Sequence, residues 1–250
     1  MCVKMKKFIL LTAVLSMAVL SAAPKRGAVC FTFDDYHGKN WLNADAVFKK
    51  YNAHATFFVV RTLTPEKIDV MKKLQAAGHS IGLHTMNHRN ATNFVQSKGE
   101  KWYLENEILP QLASCKANGL VVRNFAYPNN RRDDDTDKML YKYFDYLRAG
   151  NGPAKKPIYY PMDSIQPKMV LGGGGIGTFY NSEVGELKSR LDKAAESNSV
   201  IVFFSHNIAP GAKHINMPTE LLEELLAHAR KLGMEIIGFD QLKTLKLESK

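Results

Sequence analysis

Two adjacent carboxylates end an apolar segment near the start of the chain. Residues 28–31 are typical of a buried strand, and Asp34 and Asp35 follow after two intervening residues. Because the chain turns at a strand end, both side chains can reach one pocket. Two ionised carboxylates side by side repel each other unless a cation or a shared proton separates them. Taken alone, the pair is more typical of a turn or a helix cap, so its interpretation depends on the rest of the chain.

Two histidines follow a second short apolar strand. His84 and His88 come directly after residues 80–83, and on one helical turn an i, i+4 pair lies on the same face. Such a pair is common on protein surfaces. Combined with one carboxylate from the other strand end, it supplies two neutral nitrogens and one oxygen, the ligand set of a catalytic zinc site with an open position for water. The other carboxylate is then free to act as a base on that water.

A third polar side chain follows a third buried strand. Residues 200–204 form a strongly apolar run, and Ser205 and His206 follow it. A single histidine at such a place is usually structural. Its repetition of the same strand-end pattern favours a functional site in this chain.

In order and type, these residues resemble the polysaccharide deacetylase family, the NodB-homology hydrolases. The likeness extends from about residue 28 to about residue 242, and segments 55–59 and 78–82 also match. The motifs that carry it are Thr32-Phe33-Asp34-Asp35, His84-Thr85-Met86-Asn87-His88 and Ser205-His206.

The resemblance implies a fold, a reaction and a role for each residue. The fold is α/β, an irregular (β/α) barrel of about seven parallel strands in one domain, residues 24–250. The reaction is removal of N-acetyl groups from a polysaccharide or oligosaccharide that contains N-acetylglucosamine. Asp35, His84 and His88 would hold a divalent metal, with zinc first and cobalt or nickel compatible with the same ligands. Asp34 would be the general base and His206 the general acid; the assignment of the two aspartates comes from the resemblance alone.

The family's third motif is altered in this chain. It usually begins with an arginine that orients the catalytic aspartate, and Ala126 stands in its place. Arg148 and Arg123 are candidates to replace it, although a packing or surface role fits either arginine as well.

Four further residues are predicted to lie near the substrate, together with Arg148. The backbone N–H of Asn129 corresponds to the family's oxyanion donor, and Tyr127 belongs to the same motif. His37 follows the aspartate pair closely, and Trp41 lies just beyond that loop. The family's Asp-x-x-Asp-Trp motif is not recognisable, which leaves Asp163 or Asp145 as candidate partners of His206.

The amino terminus has the pattern of a secretory signal. Basic residues precede an apolar run at 8–20, and small residues follow at 21–23, so residues 1–23 are predicted to be removed on export to the periplasm or the medium. No membrane span is expected after removal. The formal net charge of +10 becomes +7, because three lysines and no acids leave with the signal. A moderately basic protein suits anionic cell-wall polymers, and without a basic face interleaved with aromatic residues nucleic acid is not expected as a partner. The oligomeric state stays open.

The remaining chain alternates predicted strands and helices, which favours parallel β/α architecture. The seventh strand is predicted at 234–239, a long helix at 99–118 with a bend near Pro110, and a groove wall within 150–168. Gly172–Gly175 is predicted to be a flexible turn, since it lacks the Lys-Ser/Thr of a phosphate-binding loop. Cys30 and Cys115 are predicted to be buried free thiols.

Two other functions compete with deacetylation of a polysaccharide. The missing arginine is compatible with a carbohydrate- or metal-binding pseudoenzyme. A related amidohydrolase or O-acetyl esterase acting on another substrate would use the same residues. The presence of all the metal ligands, the base and the acid favours an enzyme.

Overall fold

Strands and helices alternate along the chain in the computed structural model, which describes residues 27–150 and 158–247. The strands are β1 Ala28–Phe33, β2 Thr56–Val59, β3 Ser80–Leu83, β4 Asn124–Ala126, β5 Tyr146–Gly150, β6 Tyr159–Pro161, β7 Met169–Gly175, β8 Ser199–Ser205, β9 Ile208–Ala209, β10 Met217–Pro218 and β11 Glu235–Ile236. The α-helices are α1 Gly38–Lys50, α2 Pro65–Ala76, α3 Ala91–Lys98, α4 Glu100–Tyr103, α5 Leu109–Ala117, α6 Asp134–Leu140, α7 Val184–Glu196 and α8 Thr219–Lys231. A π-helix spans Leu104–Ile108, and 3₁₀ turns span Pro128–Asn130, Met162–Ser164, Thr178–Tyr180 and Phe239–Leu247.

Seven parallel strands form a closed barrel. Their order is β1-β2-β3-β4-β5-β7-β8, and β8 pairs with β1 along six residue pairs to close the ring. Parallel neighbours place all their carboxyl ends at the same rim. The predicted single-domain barrel is therefore confirmed, and the strand ends that carry the aspartates and histidines share that rim.

Two short strands make the barrel irregular at its amino end. β11 pairs with Ala28 and Val29 at the start of β1, whereas β2 pairs with Thr32 and Phe33 at its end. On the other side, β6 runs antiparallel to the first three residues of β8, whereas β7 pairs with Phe203 and Phe204 of β8. Each short strand occupies a gap where two barrel strands diverge.

The seventh barrel strand is not the one that the sequence predicts. The segment at 234–239 forms only the short β11, which pairs with the amino end of β1 and is not one of the seven strands of the closed ring, and the predicted flexible turn Gly172–Gly175 belongs to β7. A β-carbon on Gly175 would lie 2.6 Å from the Tyr180 ring, and one on Gly173 would lie 3.2 Å from Phe204. These glycines therefore form a strand, and aromatic rings of neighbouring segments occupy the space where its side chains would lie. A run of glycines has no alternation of apolar and polar residues, so the sequence gives no sign of a strand.

The predicted long helix is divided into three parts. α4 passes into the π-helix and then into α5, so the break comes before Pro110, which is the second residue of α5. A π-turn adds a residue to the helical repeat and redirects the side chains that follow. The predicted helix at 99–118 is confirmed in position and corrected in form.

The predicted groove wall is corrected in part. Of residues 150–168, the segment 151–157 lies outside the described residues. β6 and the turn after it run along the amino half of β8, since Pro161 pairs with Ser199. This described part lies away from the rim where the reactive side chains lie.

The core lies between the barrel and the surrounding helices. α1 buries Trp41, Ala44 and Phe48 on one face, and Trp41 contacts Phe57 of β2 with 4.9 Å between ring centroids. Cys30 and Cys115 are free and buried, as predicted. Among the described residues, no helix is both long and apolar enough to cross a bilayer. The predicted signal, residues 1–23, lies outside the described residues.

Candidate active site

The carboxyl rim of the barrel brings together the polar residues that end β1, β3 and β8. Asp34 extends the β1–β8 ladder, because its N–H donates to the carbonyl of Ser205 at 3.0 Å. That register places the aspartate pair beside His206. The N–H of His84 donates to the carbonyl of Val59 at 2.9 Å, which fixes the start of the histidine loop against β2.

Asp35, His84 and His88 form a donor set for a metal ion. Oδ1 of Asp35 lies 3.7 Å from Nε2 of His84 and 3.5 Å from Nε2 of His88. The three ligand atoms all lie within 4.8 Å of one another. Among the described residues, this is the group of three histidine, cysteine or acidic side chains that is close enough to bind one metal ion. These separations are too long for direct hydrogen bonds and suit three ligands of one ion.

His84 is held in the tautomer that a metal ligand requires. Its Nδ1 lies 2.8 Å from the carbonyl of Ala126, an acceptor, so Nδ1 carries the proton and Nε2 presents a lone pair to the site. Burial lowers the pKa of His84 to about 4, which keeps the ring neutral at physiological pH. The carbonyl at position 126 thus serves the site even though the side chain there is only a methyl group.

The loops that present the ligands require unusual backbone conformations. Asp35 has φ of 78°, Thr85 of 70° and His88 of 57°, a region that residues other than glycine seldom adopt. Such strain persists only where the surrounding structure fixes the backbone, and it clusters at functional sites.

A buried carboxylate fixes the histidine loop from below. Glu107, in the π-helix, is wholly buried and accepts hydrogen bonds from the backbone N–H and the side-chain Nδ2 of Asn87, both at 2.8 Å. Its carbonyl accepts from the N–H of Met86 at 3.0 Å, and Arg89 lies 3.3 Å from its carboxylate. Sequence reasoning missed Glu107, because its contribution depends on the π-turn that points it under residues 86–89.

Asp34 is buried and paired with Arg148. A guanidinium N–H of Arg148 donates to Oδ2 of Asp34, and both side chains are almost inaccessible to solvent. Burial by itself raises the pKa of Asp34, but Arg148, His84 and His206 outweigh it and hold the pKa below its usual value. Oδ1 of Asp34 is buried without a hydrogen-bond partner in the described residues. Asp34 therefore stays ionised and keeps one oxygen available to the site.

Arg148 reaches Asp34 from the strand next to the altered motif. Position 148 pairs with Ala126 across β5 and β4, so the guanidinium occupies space that a longer side chain at 126 would take. A second guanidinium N–H donates to Oδ1 of Asn130 at 2.8 Å, and the group lies 4.9 Å from the centre of the Phe204 ring. Arg148 is wholly buried, so the prediction that it contacts the substrate is corrected. Its other predicted role, as the arginine that pairs with the aspartate, agrees with its contact to Asp34. Arg123 instead lies 3.7 Å from Asp145.

His206 is oriented by backbone groups. Its Nδ1 lies 3.2 Å from the carbonyl of Ile215, and its Nε2 lies 3.8 Å from Oδ2 of Asp35. Neither carboxylate suggested by the sequence supports it, since Asp145 pairs with Arg123 and Lys168, and Asp163 follows β6 in the 3₁₀ turn near the amino end of the barrel.

Trp41 lies beneath the site. It is wholly buried, and its Nε1–H donates to the carbonyl of His206 at 3.0 Å. The prediction that Trp41 contacts substrate is corrected, because its ring packs in the core and supports the backbone of His206.

A cavity of about 240 Å³ joins these groups, and we call it the catalytic pocket. Tyr127 and Asn129 line it, although Tyr127 is wholly buried and its hydroxyl donates to Asp137 at 2.7 Å, so its polar atom is engaged outside the pocket. His37 lies outside this lining and contacts Trp41 with 5.9 Å between ring centroids. The complete lining is Asp34, Asp35, His84, His88, Tyr127, Asn129, Asn130, Tyr180, Phe204, His206 and Ile215.

The donor set and its surroundings fit a divalent cation. Two imidazole Nε2 atoms and a carboxylate oxygen converge, and the tautomer of His84 is fixed. Asp34 lines the same pocket, and its Oδ1 has no hydrogen-bond partner among the described residues. A set of two nitrogens and one oxygen leaves coordination positions open for water and substrate.

Comparison with known proteins identifies the family. A family model described as polysaccharide deacetylase matches residues 21–145, half of the chain. The chain belongs to the polysaccharide deacetylase family. The match contains the aspartate pair and both metal-site histidines, so the resemblance inferred from those motifs is confirmed.

Individual relatives are more distant. A peptidoglycan-N-acetylglucosamine deacetylase of Bacillus cereus is 36% identical over 67 residues, which cover 27% of this chain and 24% of that protein. The match thus spans about a quarter of that relative's length. Among solved structures, a chitin deacetylase from Colletotrichum lindemuthianum is 16% identical with a TM-score of 0.60, and 88% of each chain is covered. A family 4 acetyl xylan esterase from Clostridium thermocellum in complex with a cobalt ion is 18% identical with a TM-score of 0.57, covering 87% of this chain and 91% of that one. At these identities the two structures show a common fold.

Proposed function

We propose that this polysaccharide deacetylase family member is an exported, metal-dependent hydrolase that removes N-acetyl groups from a polysaccharide or oligosaccharide containing N-acetylglucosamine. One observation carries the proposal. Asp35 presents Oδ1 to the two metal-site histidines and Oδ2 to His206, while the buried, ionised Asp34 lies in the same pocket. A metal site flanked by a base and an acid is what amide hydrolysis requires.

Asp35, His84 and His88 would hold the divalent metal, with zinc the first expectation. When bound, the ion supplies Lewis acidity toward the acetyl carbonyl and makes water a better nucleophile at neutral pH. Oδ1 of Asp34, which has no other partner in the described residues, accepts the proton of the attacking water. Arg148 holds Oδ2, so it orients the carboxylate and keeps it ionised.

His206 supplies the proton that the leaving amine needs. Its Nδ1–H donates to the carbonyl of Ile215, which turns Nε2 toward the pocket. The protonated ring gives its Nε2 proton to the sugar nitrogen as the C–N bond breaks. The products are acetate and a free amino sugar, and the site is reset when Asp34 releases the proton that it took and His206 takes up a proton from solvent.

Acetate release tests the proposal. N-acetylglucosamine oligomers and peptidoglycan are incubated with the protein, with zinc added or with a chelator. We expect release that requires the metal and that falls by about 10²- to 10⁴-fold in Asp34→Asn and in His206→Ala. His228→Ala is the matched control, because His228 pairs with Asp192 on the outer helices at 2.8 Å.

The alternatives predict different results. Stoichiometric metal binding with no acetate release from any substrate would support a binding protein in place of an enzyme. Faster release from O-acetylated xylan or small amides than from N-acetylated oligomers would move the assignment to an esterase or another amidohydrolase. Export is tested separately, by sequencing the amino terminus of protein recovered outside the cytoplasm, where Pro24 is expected to come first.

A further inference from the structure

A second cavity lies on the other side of the metal donor set. Its volume is about 320 Å³, and it shares Asp35 and His88 with the catalytic pocket as a common wall. We call it the cationic pocket, because two basic side chains line it and its only carboxylate is the metal-site aspartate. Its lining is Asp35, Tyr36, Val60, Arg61, Lys67 and His88.

Lys67 is fixed in this cavity. Its Nζ donates to the carbonyl of Val60 at 2.8 Å and lies 4.9 Å from the centre of the Tyr36 ring. An ammonium group has three N–H donors, so two are left for a ligand. Burial, and after it the charge of Arg61, lowers the pKa of Lys67, which is the expected effect on a partly buried cation that lies near a second, exposed cation.

Arg61 is fixed at its backbone. It has φ of 69°, its N–H donates to the carbonyl of Thr85 at 2.9 Å, and its carbonyl accepts from Nε2 of Gln111 at 2.7 Å. These bonds hold the first atoms of the side chain at the end of β2, beside the metal site. A guanidinium group in such a place is suited to two parallel hydrogen bonds with a carboxylate or a phosphate.

No carboxylate pairs directly with the two cations of the cavity, although the charge of Glu66 acts on Lys67 and partly offsets the effect of Arg61 on its pKa. Within residues 27–150 and 158–247, neither Arg61 nor Lys67 lies within 4.0 Å of a carboxylate oxygen. Asp69, on the same helix as Lys67, pairs with Lys73 at 2.7 Å, and Asp35 faces the histidines. A partly buried ammonium group and an exposed guanidinium group that share one cavity, with no directly paired acid among the described residues, favour the binding of an anionic ligand.

We propose that the cationic pocket binds an anionic group, a carboxylate or a phosphate, carried by the saccharide whose acetamide lies in the catalytic pocket. This inference rests on the proposed function, because the shared wall of Asp35 and His88 places the two groups on one sugar or on adjacent sugars. The saccharide would then be recognised by two features together, an N-acetyl group at the metal and a negative charge beside it.

Binding by isothermal titration tests the inference without turnover. The Asp34→Asn protein is titrated with a peptidoglycan-derived tetrasaccharide that carries ether-linked carboxylates, and with the same compound after its carboxylates are converted to amides. We expect the charged form to bind about tenfold or more tightly, since hydrogen bonds to charged groups are stronger than neutral ones. A parallel titration uses an N-acetylglucosamine oligomer phosphorylated at its 6-hydroxyl in place of the tetrasaccharide. Comparison of the two titrations shows whether the pocket prefers a carboxylate or a phosphate.

Variants connect the preference to the pocket. Arg61→Gln and Lys67→Gln, each in the Asp34→Asn background, should reduce the ratio of the two affinities toward one. Lys72→Gln should keep it, because Lys72 is exposed on the same helix and lies outside both cavities. Equal affinity for charged and neutral forms, or a preference that persists in the Arg61→Gln/Lys67→Gln double variant, would overturn the inference.

The parallel kinetic measurement separates this inference from the proposed function. The ratio of kcat/KM for charged and neutral saccharides should follow the ratio of affinities. A binding preference that requires Arg61 and Lys67, in a protein that releases no acetate from any saccharide, would refute deacetylation and leave the anion site standing. Acetate release with no preference for charged saccharides would support deacetylation and refute the anion site.

Discussion

Arg148 and Ala126 face each other across β5 and β4, and Arg148 contacts Asp34 while Ala126 occupies the family's arginine position. The guanidinium that contacts Asp34 is therefore supplied by β5 in place of β4, at the same register position of the barrel. This relationship explains how Asp34, the candidate base, keeps a positively charged partner although alanine stands where the family usually has arginine. It also argues against a pseudoenzyme, whose principal support was the missing arginine.

Replacement of Arg148 by methionine tests this exchange. The variant leaves Asp34 buried without its cation, so we expect the free energy of unfolding to fall by about 3–5 kcal/mol and acetate release to fall at least in proportion to the lost ionised fraction of Asp34. The pKa of Asp34 rises, so the pH below which activity is lost moves upward. Denaturant unfolding and a pH–rate profile measure the two effects.

The matched control restores the charge from the neighbouring strand. In Ala126→Arg/Arg148→Ala the guanidinium returns to the family's usual position at the same register, and we expect a pH profile closer to that of the original protein. Loss of activity in Arg148→Met with an unchanged pH profile would indicate that Arg148 only fills space.

Glu107→Gln tests the support of the histidine loop. Glutamine keeps the shape of the side chain, but its amide nitrogen cannot accept a hydrogen bond from Asn87, and its charge toward Arg89 is lost. We expect zinc to bind about 10- to 100-fold more weakly, the usual effect of losing a group that orients metal ligands. Competition with a chromophoric chelator measures this affinity. Glu105→Gln is the control, since Glu105 belongs to the same π-helix but is exposed, 3.9 Å from Lys101.

Stability should fall in mild acid because of His79. Burial lowers the pKa of His79 to about 4, against the hydrogen bond with Asp45, and its Nδ1 accepts from the N–H of Ala55 at 3.0 Å. The unfolded chain binds a proton near pH 6.5 and the folded protein does not, so stability is complete above that pH and is lost as pH falls toward 4. The loss amounts to about 3 kcal/mol at most.

Urea unfolding at several pH values measures this dependence. Because His84 has a similarly lowered pKa, the comparison is between the original protein and His79→Gln. The variant is expected to be less stable at pH 7 and to lose less further stability between pH 6.5 and pH 4. Parallel curves for the two proteins would show that His79 does not contribute.

Gly175→Ala tests the packing of the glycine strand. A β-carbon there would lie 2.6 Å from the Tyr180 ring, which lines the catalytic pocket, so the ring must move. We expect a loss of about 1–3 kcal/mol in the free energy of unfolding and a lower kcat/KM. Gly185→Ala is the control, because a β-carbon at that helical position would meet no atom within 4 Å beyond its chain neighbours and the backbone of its own helix. This substitution should be neutral or stabilising by up to about 1 kcal/mol. Equal effects of the two substitutions would contradict the packing argument.

Side-chain chemistry at strand ends predicts a group of residues that the structure brings together in one pocket. Asp34, Asp35, His84, His88 and His206 follow apolar runs, and strands of a barrel deliver such residues to one rim. The predicted roles of these residues remain to be tested by the substitutions above.

The residues that support the site could not be predicted in the same way. The pairing of Arg148 with Asp34 depends on the register between β4 and β5, which no local pattern specifies. The position of Trp41 depends on which face of α1 is buried. The glycines of β7 carry no hydrophobic alternation, so the sequence does not predict a strand there. Residues 234–239 are largely apolar, so the sequence predicts a barrel strand where only the short β11 forms.

The two wedge strands, β6 and β11, give the barrel a taper. They add width only at the amino end, since β11 pairs with the first residues of β1 and β6 with the first residues of β8. The rim is left with seven strands, and the diameter of a barrel decreases with the number of its strands. At this rim the carboxylate oxygens of Asp35, which follows β1, lie within 4 Å of the Nε2 atoms of the three histidines that follow β3 and β8. The width of the rim at the site therefore depends on two strands at the opposite end of the barrel, none of whose residues lines the catalytic pocket.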